Sequence, residues 1–161
     1  MAKNVTYTTV DLGWLAILDQ LALAEKAYVK VGFQMGSVTK NQRKGVRRQK
    51  AGQSMPEIAA KNEYGAPGVP ARPFMSTAVD MNISLINDYI ARQYDLLLKG
   101  KSTVDKSLGL IGQLMTGLIQ KRIRAIVYPP NSPRTIAIKG SSKPLIDFGQ
   151  MIQSVRYVVH T

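Results

Sequence analysis

The chain has no cysteine, which excludes a disulfide framework, thiolate metal sites and thiol catalysis, and is compatible with a reducing compartment. It has a single histidine, His160, next to the last residue, where fraying makes a poor platform for a general base. Acids are scarce too: ten Asp and Glu stand against 22 Lys and Arg. Those acids are dispersed, and no spacing such as HExxH, DxDxDG or GxSxG occurs among them or around a serine. The stretch Lys139, Gly140, Ser141, Ser142, Lys143 lacks the GxxxxGK[ST] arrangement and a preceding apolar strand, so it reads as a loop rather than a nucleotide site. No apolar run approaches the ~18 residues of a membrane span, and the polar stretch Met1 to Thr9 has no leader-like basic and apolar regions. The expectation is a non-enzymatic protein with no cofactor, no metal and no membrane partner.

What is present is one domain's worth of chain, residues 1–161, with 45% hydrophobic residues and a formal net charge of +12. Such a charge favours anionic partners: nucleic acid, anionic lipid or an acidic protein surface. It is concentrated, because Lys40, Arg43, Lys44, Arg47, Arg48 and Lys50 fall in one stretch with no acid between Glu25 and Glu57. Residues 37–53 therefore read as a flexible basic arm, a loop or hairpin tip too polar to bury surface against its ordering entropy. The arm is either a solvated loop or a contact for DNA phosphates or an acidic neighbouring subunit. With no aromatic residue between Ser37 and Gln53 it has no stacking platform, so any DNA contact is non-specific.

Along the chain, Leu12, Leu15, Leu18, Leu21 and Ala22 recur at helical spacing over 11–25, with Asp11 as cap. Val29, Val31, Phe33 and Met35 then alternate as a strand. A short helix is expected over 56–62, capped by Ser54. After the punctuated segment Gly65 to Pro73, two long helical patterns follow, Met75 to Leu97 and a second starting at a Ser102 cap. Their short connection predicts an antiparallel helical hairpin. Gly109, Gly112 and Gly117 inside the second helix each cost about 1 kcal/mol against alanine, which close approach of another backbone would offset. Ser132 as cap, Pro133 at the first position and Gly140 at the end frame a further short helix, Gly149 to Gln153 one helical turn, and Val155, Tyr157 and Val159 a closing strand. The predicted fold is α+β: two long antiparallel helices packed on a small, mainly antiparallel sheet, with the basic arm projecting.

Two segments are specific without carrying catalytic logic. One runs Glu63, Tyr64, Gly65, Ala66, Pro67, Gly68, Val69, Pro70, Ala71, Arg72, Pro73, Phe74. The other runs from Lys139 and Gly140 through Lys143, Pro144, Leu145, Ile146, Asp147, Phe148, Gly149 and Gln150 to Val155. In the first, Pro70 and Pro73 stiffen the approach to the long helix and fix the direction of Arg72, and Phe74 anchors the turn in the core. That guanidinium suits a bidentate contact with a carboxylate, on its own chain or on a neighbour's. In the second, Asp147 reads as the cap of the short turn after Phe148.

Both segments, with Pro130, Asn131, Ser132 and Pro133 between them, resemble signature elements of the HK97 gp10-like and Mu virion-morphogenesis group of phage tail-completion and neck proteins. The resemblance spans about residues 56 to 157. It implies a structural virion protein of a tailed phage, a homo-oligomeric ring of six-fold or twelve-fold symmetry in the neck or at the top of the tail. Its partners would be other neck and tail proteins, with DNA in the lumen. Its place would be the virion, and the host cytoplasm during assembly. A non-specific nucleic-acid-binding protein is the alternative, carried by charge alone. The resemblance implies no catalytic residue.

Overall fold

A computed structural model describes residues 13–39 and 52–161. In order these form α1 (Trp14–Ala24), β1 (Tyr28–Phe33), α2 (Met55–Tyr64), α3 (Met75–Asp80), α4 (Ile83–Leu98), α5 (Val104–Ala125), α6 (Pro133–Lys139), α7 (Gln150–Ser154) and β2 (Val155–His160). The class is α+β, with the two strands paired antiparallel from Tyr28 opposite His160 to Phe33 opposite Val155. At the open end of this ribbon the Tyr28 and His160 rings stack, 4.7 Å between centroids.

The predicted long helix from Met75 is two helices, broken at Met81 and Asn82. Asn82 is the reason: its side-chain amide donates to the Ala78 carbonyl at 2.8 Å and competes with the helical ladder. At the next boundary the cap is one residue later than expected. Thr103, not Ser102, occupies the N-cap of α5 and accepts from the Lys106 amide, while Ser102 pairs with the Ser107 hydroxyl at 2.9 Å. The following amide, Val104 N–H, donates to Gln20 of α1 at 2.9 Å, so α1 caps α5 from outside. In α6 the expected frame holds: Ser132 accepts from the Thr135 amide, Pro133 opens the helix and Gly140 closes it at φ 68°. In α2, Ser54 stands at the N-cap without a side-chain cap bond.

Helix α5 is the spine. It lies against both strands and against α3, while α4 reaches the rest of the protein mainly through α5, with lesser contacts to α1 and α3. The core gathers Phe74, Ala78, Ile119, Ile123, Ile126, Leu145, Met151, Ile152 and Val155 with Met55 and Ala59 of α2. Phe74 is fully buried and meets Phe33 edge to face at 6.0 Å. Helix α1 contributes no buried residue.

Of the three helix-interior glycines only Gly112 has the close neighbour that was expected, and the neighbour is a ring rather than a backbone. A Cβ there would lie 2.6 Å from the Tyr157 ring and 2.9 Å from its Cβ, the root of the side chain, which cannot swing away cheaply. A Cβ at Gly109 or Gly117 would meet nothing within 4 Å beyond its own stretch of helix. Opposite signs follow for one substitution. Gly112→Ala should lose about 1 to 2 kcal/mol, as overpacking against the sheet exceeds the gain in helix propensity. Gly109→Ala and Gly117→Ala should each gain up to about 1 kcal/mol. Thermal melts of the three variants check this, and a Gly112→Ala protein melting above the parent would contradict it.

The expected arm over 37–53 falls largely outside the described residues, as do Lys40, Arg43, Lys44, Arg47, Arg48 and Lys50. Its foot is described. Thr39 and Gln53 face each other, the Thr39 amide donating to the Gln53 carbonyl at 3.0 Å and the Gly52 amide to the Thr39 carbonyl at 3.1 Å. The Gln53 amide also donates to the Thr39 hydroxyl at 3.1 Å, and Val38 bridges Ser54. Residues 38–39 and 52–54 are thus held together as one antiparallel foot ahead of α2.

Candidate functional site

The two specific segments are assembled into one place, and Glu63 begins the assembly. It sits in the last turn of α2, where the helix dipole disfavours an anion, yet it is buried. Its carboxylate accepts from the amides of Phe74 at 2.7 Å and of Met75 and Ser76 at 2.9 Å, and from the Ser76 hydroxyl at 2.7 Å. These are the orphan donors at the start of α3, so Glu63 is the cap of a helix that is not its own. Burial alone would raise its pKa; the bonds from Ser76, Met75 and Phe74 outweigh that and hold it below the usual carboxylate value.

Between Glu63 and Phe74 the chain makes a compact excursion. Gly65, at φ 84°, lets the backbone pass close to Ala71, where a Cβ would stand 3.2 Å from the Ala71 nitrogen. Ala66 and Val69 then exchange two backbone bonds around Pro67 and Gly68, proline first and a positive-φ glycine second, as a type II turn requires. Pro70 and Pro73 flank Arg72, whose amide donates to the Asn62 carbonyl at 2.6 Å.

The Arg72 side chain, 5% exposed, runs into the loop after α5. Its Nε donates to the Pro129 carbonyl at 2.7 Å and its Nη2 to the Pro130 carbonyl at 3.1 Å. The predicted bidentate contact is therefore within the chain, and its acceptors are two successive carbonyls rather than a carboxylate. Burial lowers the Arg72 pKa, but a guanidinium remains charged.

The next residue carries the stitching onward. Asn131, buried, donates through Nδ2 to the carbonyls of Ser142 at 3.3 Å and Lys143 at 3.1 Å. Lys139 donates through Nζ to the carbonyls of Lys143 and Pro144, both at 2.9 Å. Its pKa is lowered, first by burial; the charge of Asp147 raises it and that of Arg72 lowers it further. Lys143 itself is exposed and contributes its backbone carbonyl, while Pro144 and Leu145 are buried.

Asp147 does not cap the short turn. Gly149 holds the N-cap position of α7 at φ 71°, with no side-chain cap bond, because this left-handed residue turns the chain into the helix after Asp147 has passed. Asp147 instead lines a cleft of about 740 Å³ together with Met55, Ile58, Pro70, Arg72, Ile138 and Lys139. Pro130, Asn131, Pro144, Leu145 and Met151 complete much of its wall.

Of the residues singled out from the sequence, Glu63, Gly65, Pro70, Arg72, Pro73, Phe74, Lys143, Pro144, Asp147 and Gly149, the structure places Pro70, Arg72, Pro144 and Asp147 in the cleft wall, Glu63 at the start of α3 and Phe74 in the core. Sequence reasoning missed the parts played by Lys139, Asn62 and Ile138. Lys139 stood at the head of the second segment and Asn62 and Ile138 only at periodic positions, and neither kind of signal announces a bond to a distant carbonyl or a place in a cleft wall. Among the described residues no group of three or more His, Asp or Glu side chains is placed to hold a metal, and no helix is long and apolar enough to cross a membrane. No protein-family model, curated protein or solved structure matches the chain.

Proposed function

We propose that this chain is a structural protein of a tailed-phage particle, a homo-oligomeric subunit of the neck or tail-completion ring that joins the head connector to the tail. The observation that supports assembly is an apolar surface left uncovered by the fold. No residue of α1 is buried, with Leu15 61% and Leu18 41% exposed. On α4, Ile83, Ile90, Tyr94 and Leu98 are exposed as well. A helix that is apolar on its outer face needs a partner, and contiguous exposed apolar surface marks an interaction site. Among the described residues the two-stranded sheet, marginal on its own, also keeps an open edge on each strand. In this reading α4 and α5 form an antiparallel hairpin that offers a face to like copies, and head-to-tail contacts close into a six-fold or twelve-fold ring.

The phage assignment rests on the resemblance of residues 63–74 and 139–155. The geometry supports it in one respect: the resembling residues are spent on turns, caps and carbonyl stitching, the work of a part that must hold its shape. The basic arm at 37–53 faces an anionic environment, either DNA in the lumen or an acidic ring surface.

Light scattering and native mass measurement, alone and with connector or tail-tube proteins, test the reading. A multimeric mass is expected. Leu15→Glu with Leu18→Glu should shift it towards monomer by about tenfold or more in dissociation constant at unchanged helix content, since a charge at an interface core is strongly disfavoured. A strict monomer under every condition, absent also from purified virions, overturns it. Tight, salt-sensitive DNA binding by that monomer would favour the nucleic-acid-binding alternative.

A further inference from the structure

The Arg72 guanidinium is satisfied along only one edge. Nε and Nη2 donate to the successive carbonyls of Pro129 and Pro130, which fills the side-on edge of the fork. Among the described residues no acceptor meets the end-on edge, formed by Nη1 and the second hydrogen of Nη2. Among the described residues no carboxylate forms an ion pair with this 5% exposed cation. A buried charge left without a counter-ion is costly unless something supplies one.

Arg72 lines the cleft, and so does Lys139. Asp147 is the one acid among the lining residues. Apolar side chains, among them Ile58, Ile138, Leu145 and Met151, and four prolines share the rest of the lining with the polar Asn62, Asn131, Ser132, Thr135 and Gln150. Prolines have fixed φ and no amide hydrogen, so this wall has little entropy left to lose on binding. At about 740 Å³ the cleft is the size of sites that enclose a short peptide rather than a single ion. A bare phosphate would meet the cations and leave the apolar wall uncovered.

We propose that this cleft is a docking site for an extended segment of a different protein, one that carries an aliphatic or aromatic side chain beside a carboxylate. The carboxylate would take the end-on edge of Arg72 within the field of Lys139, and the apolar side chain would lie against Ile138, Leu145 and Met151. Another copy of this chain is the poorer source, because 22 cations against ten acids make copies repel where an acidic segment is required. The inference is independent of the phage reading, since the cleft belongs to the single chain whatever it assembles into.

Fluorescence anisotropy with three labelled hexapeptides tests it: aspartate flanked by leucine and phenylalanine, and the same peptide with asparagine or with lysine at the acidic position. The aspartate peptide should bind at least about tenfold more tightly than the other two. Ile138→Glu, at a half-exposed position that leaves folding intact, should weaken the aspartate peptide by about tenfold and improve the lysine peptide. Full-strength competition by inorganic phosphate, equal binding of all three peptides, indifference to Ile138→Glu, or no binding at millimolar peptide would each overturn the proposal. So would cleft protection, read by hydrogen exchange, that appears only on self-association.

Discussion

Glu63→Ala should cost about 3 to 5 kcal/mol of folding stability, the largest effect expected of any single polar substitution in the described fold. The carboxylate accepts four hydrogen bonds from three consecutive residues, and one donor, the Phe74 amide, is itself buried. Truncation removes charge-assisted bonds and also strands those donors away from water. Phe74 is fully buried at the centre of the core, so its backbone cannot move outward to be solvated without dragging the ring with it. Glu63→Gln should lose less, about 2 kcal/mol, because one amide oxygen still accepts while the NH2 group faces donors. Urea titrations followed by circular dichroism measure both. A Glu63→Ala protein within about 1 kcal/mol of the parent would show that the α3 amides find other acceptors.

The same carboxylate predicts a pH dependence of fixed sign. Its folded pKa lies below the ordinary value of 4.5, so its contribution is complete above about pH 4.5 and is lost as the pH falls through the lowered folded value. The stability gap between the parent and Glu63→Gln should therefore be flat near neutrality and close in acid. Were the gap to widen on acidification, the carboxylate would be binding a proton in the folded state rather than excluding it.

How much of this was legible beforehand differs with the kind of interaction. The two strands announced themselves by alternation, and Ser132, Pro133 and Gly140 framed α6 because caps are local chemistry. Local chemistry also has close competitors. Ser102 and Thr103 are adjacent hydroxyls, and the one with an extended backbone became the cap. Asn82 looks like one more polar position in a helical pattern until its amide is seen bonded to Ala78. Asp147 had the right side chain for a cap but the wrong backbone, since Gly149 takes the left-handed position. The cleft was legible only as a pair of unusual segments. What joins them is side chains bonded to backbone carbonyls of residues 129, 130, 142, 143 and 144, and a carbonyl carries no sequence signature. One long-range cap did leave a trace: Glu63 stands at a helix end where its charge is unwelcome, which is a reason to look for donors elsewhere.

Arg72→Ala should destabilise the isolated chain by about 2 to 4 kcal/mol, before assembly enters. The side chain ties the turn ahead of α3 to the carbonyls of Pro129 and Pro130, and it is buried while doing so. Alanine would leave both carbonyls without these donors and open a cavity at the edge of the cleft. Arg72→Lys should recover less than half of the loss, since one ammonium on a flexible stem cannot span two successive carbonyls as the planar fork does. The backbone bond from the Arg72 amide to Asn62 survives in both variants, so the turn itself should persist and the damage should be confined to its docking on the loop at 129–131. Urea titration at a concentration where only monomer is present separates this from any effect on assembly. The decisive comparison is between the two losses: if Arg72→Ala folds within about 0.5 kcal/mol of the parent and fails only to assemble, the guanidinium's energetic role lies with another subunit and not with Pro129 and Pro130.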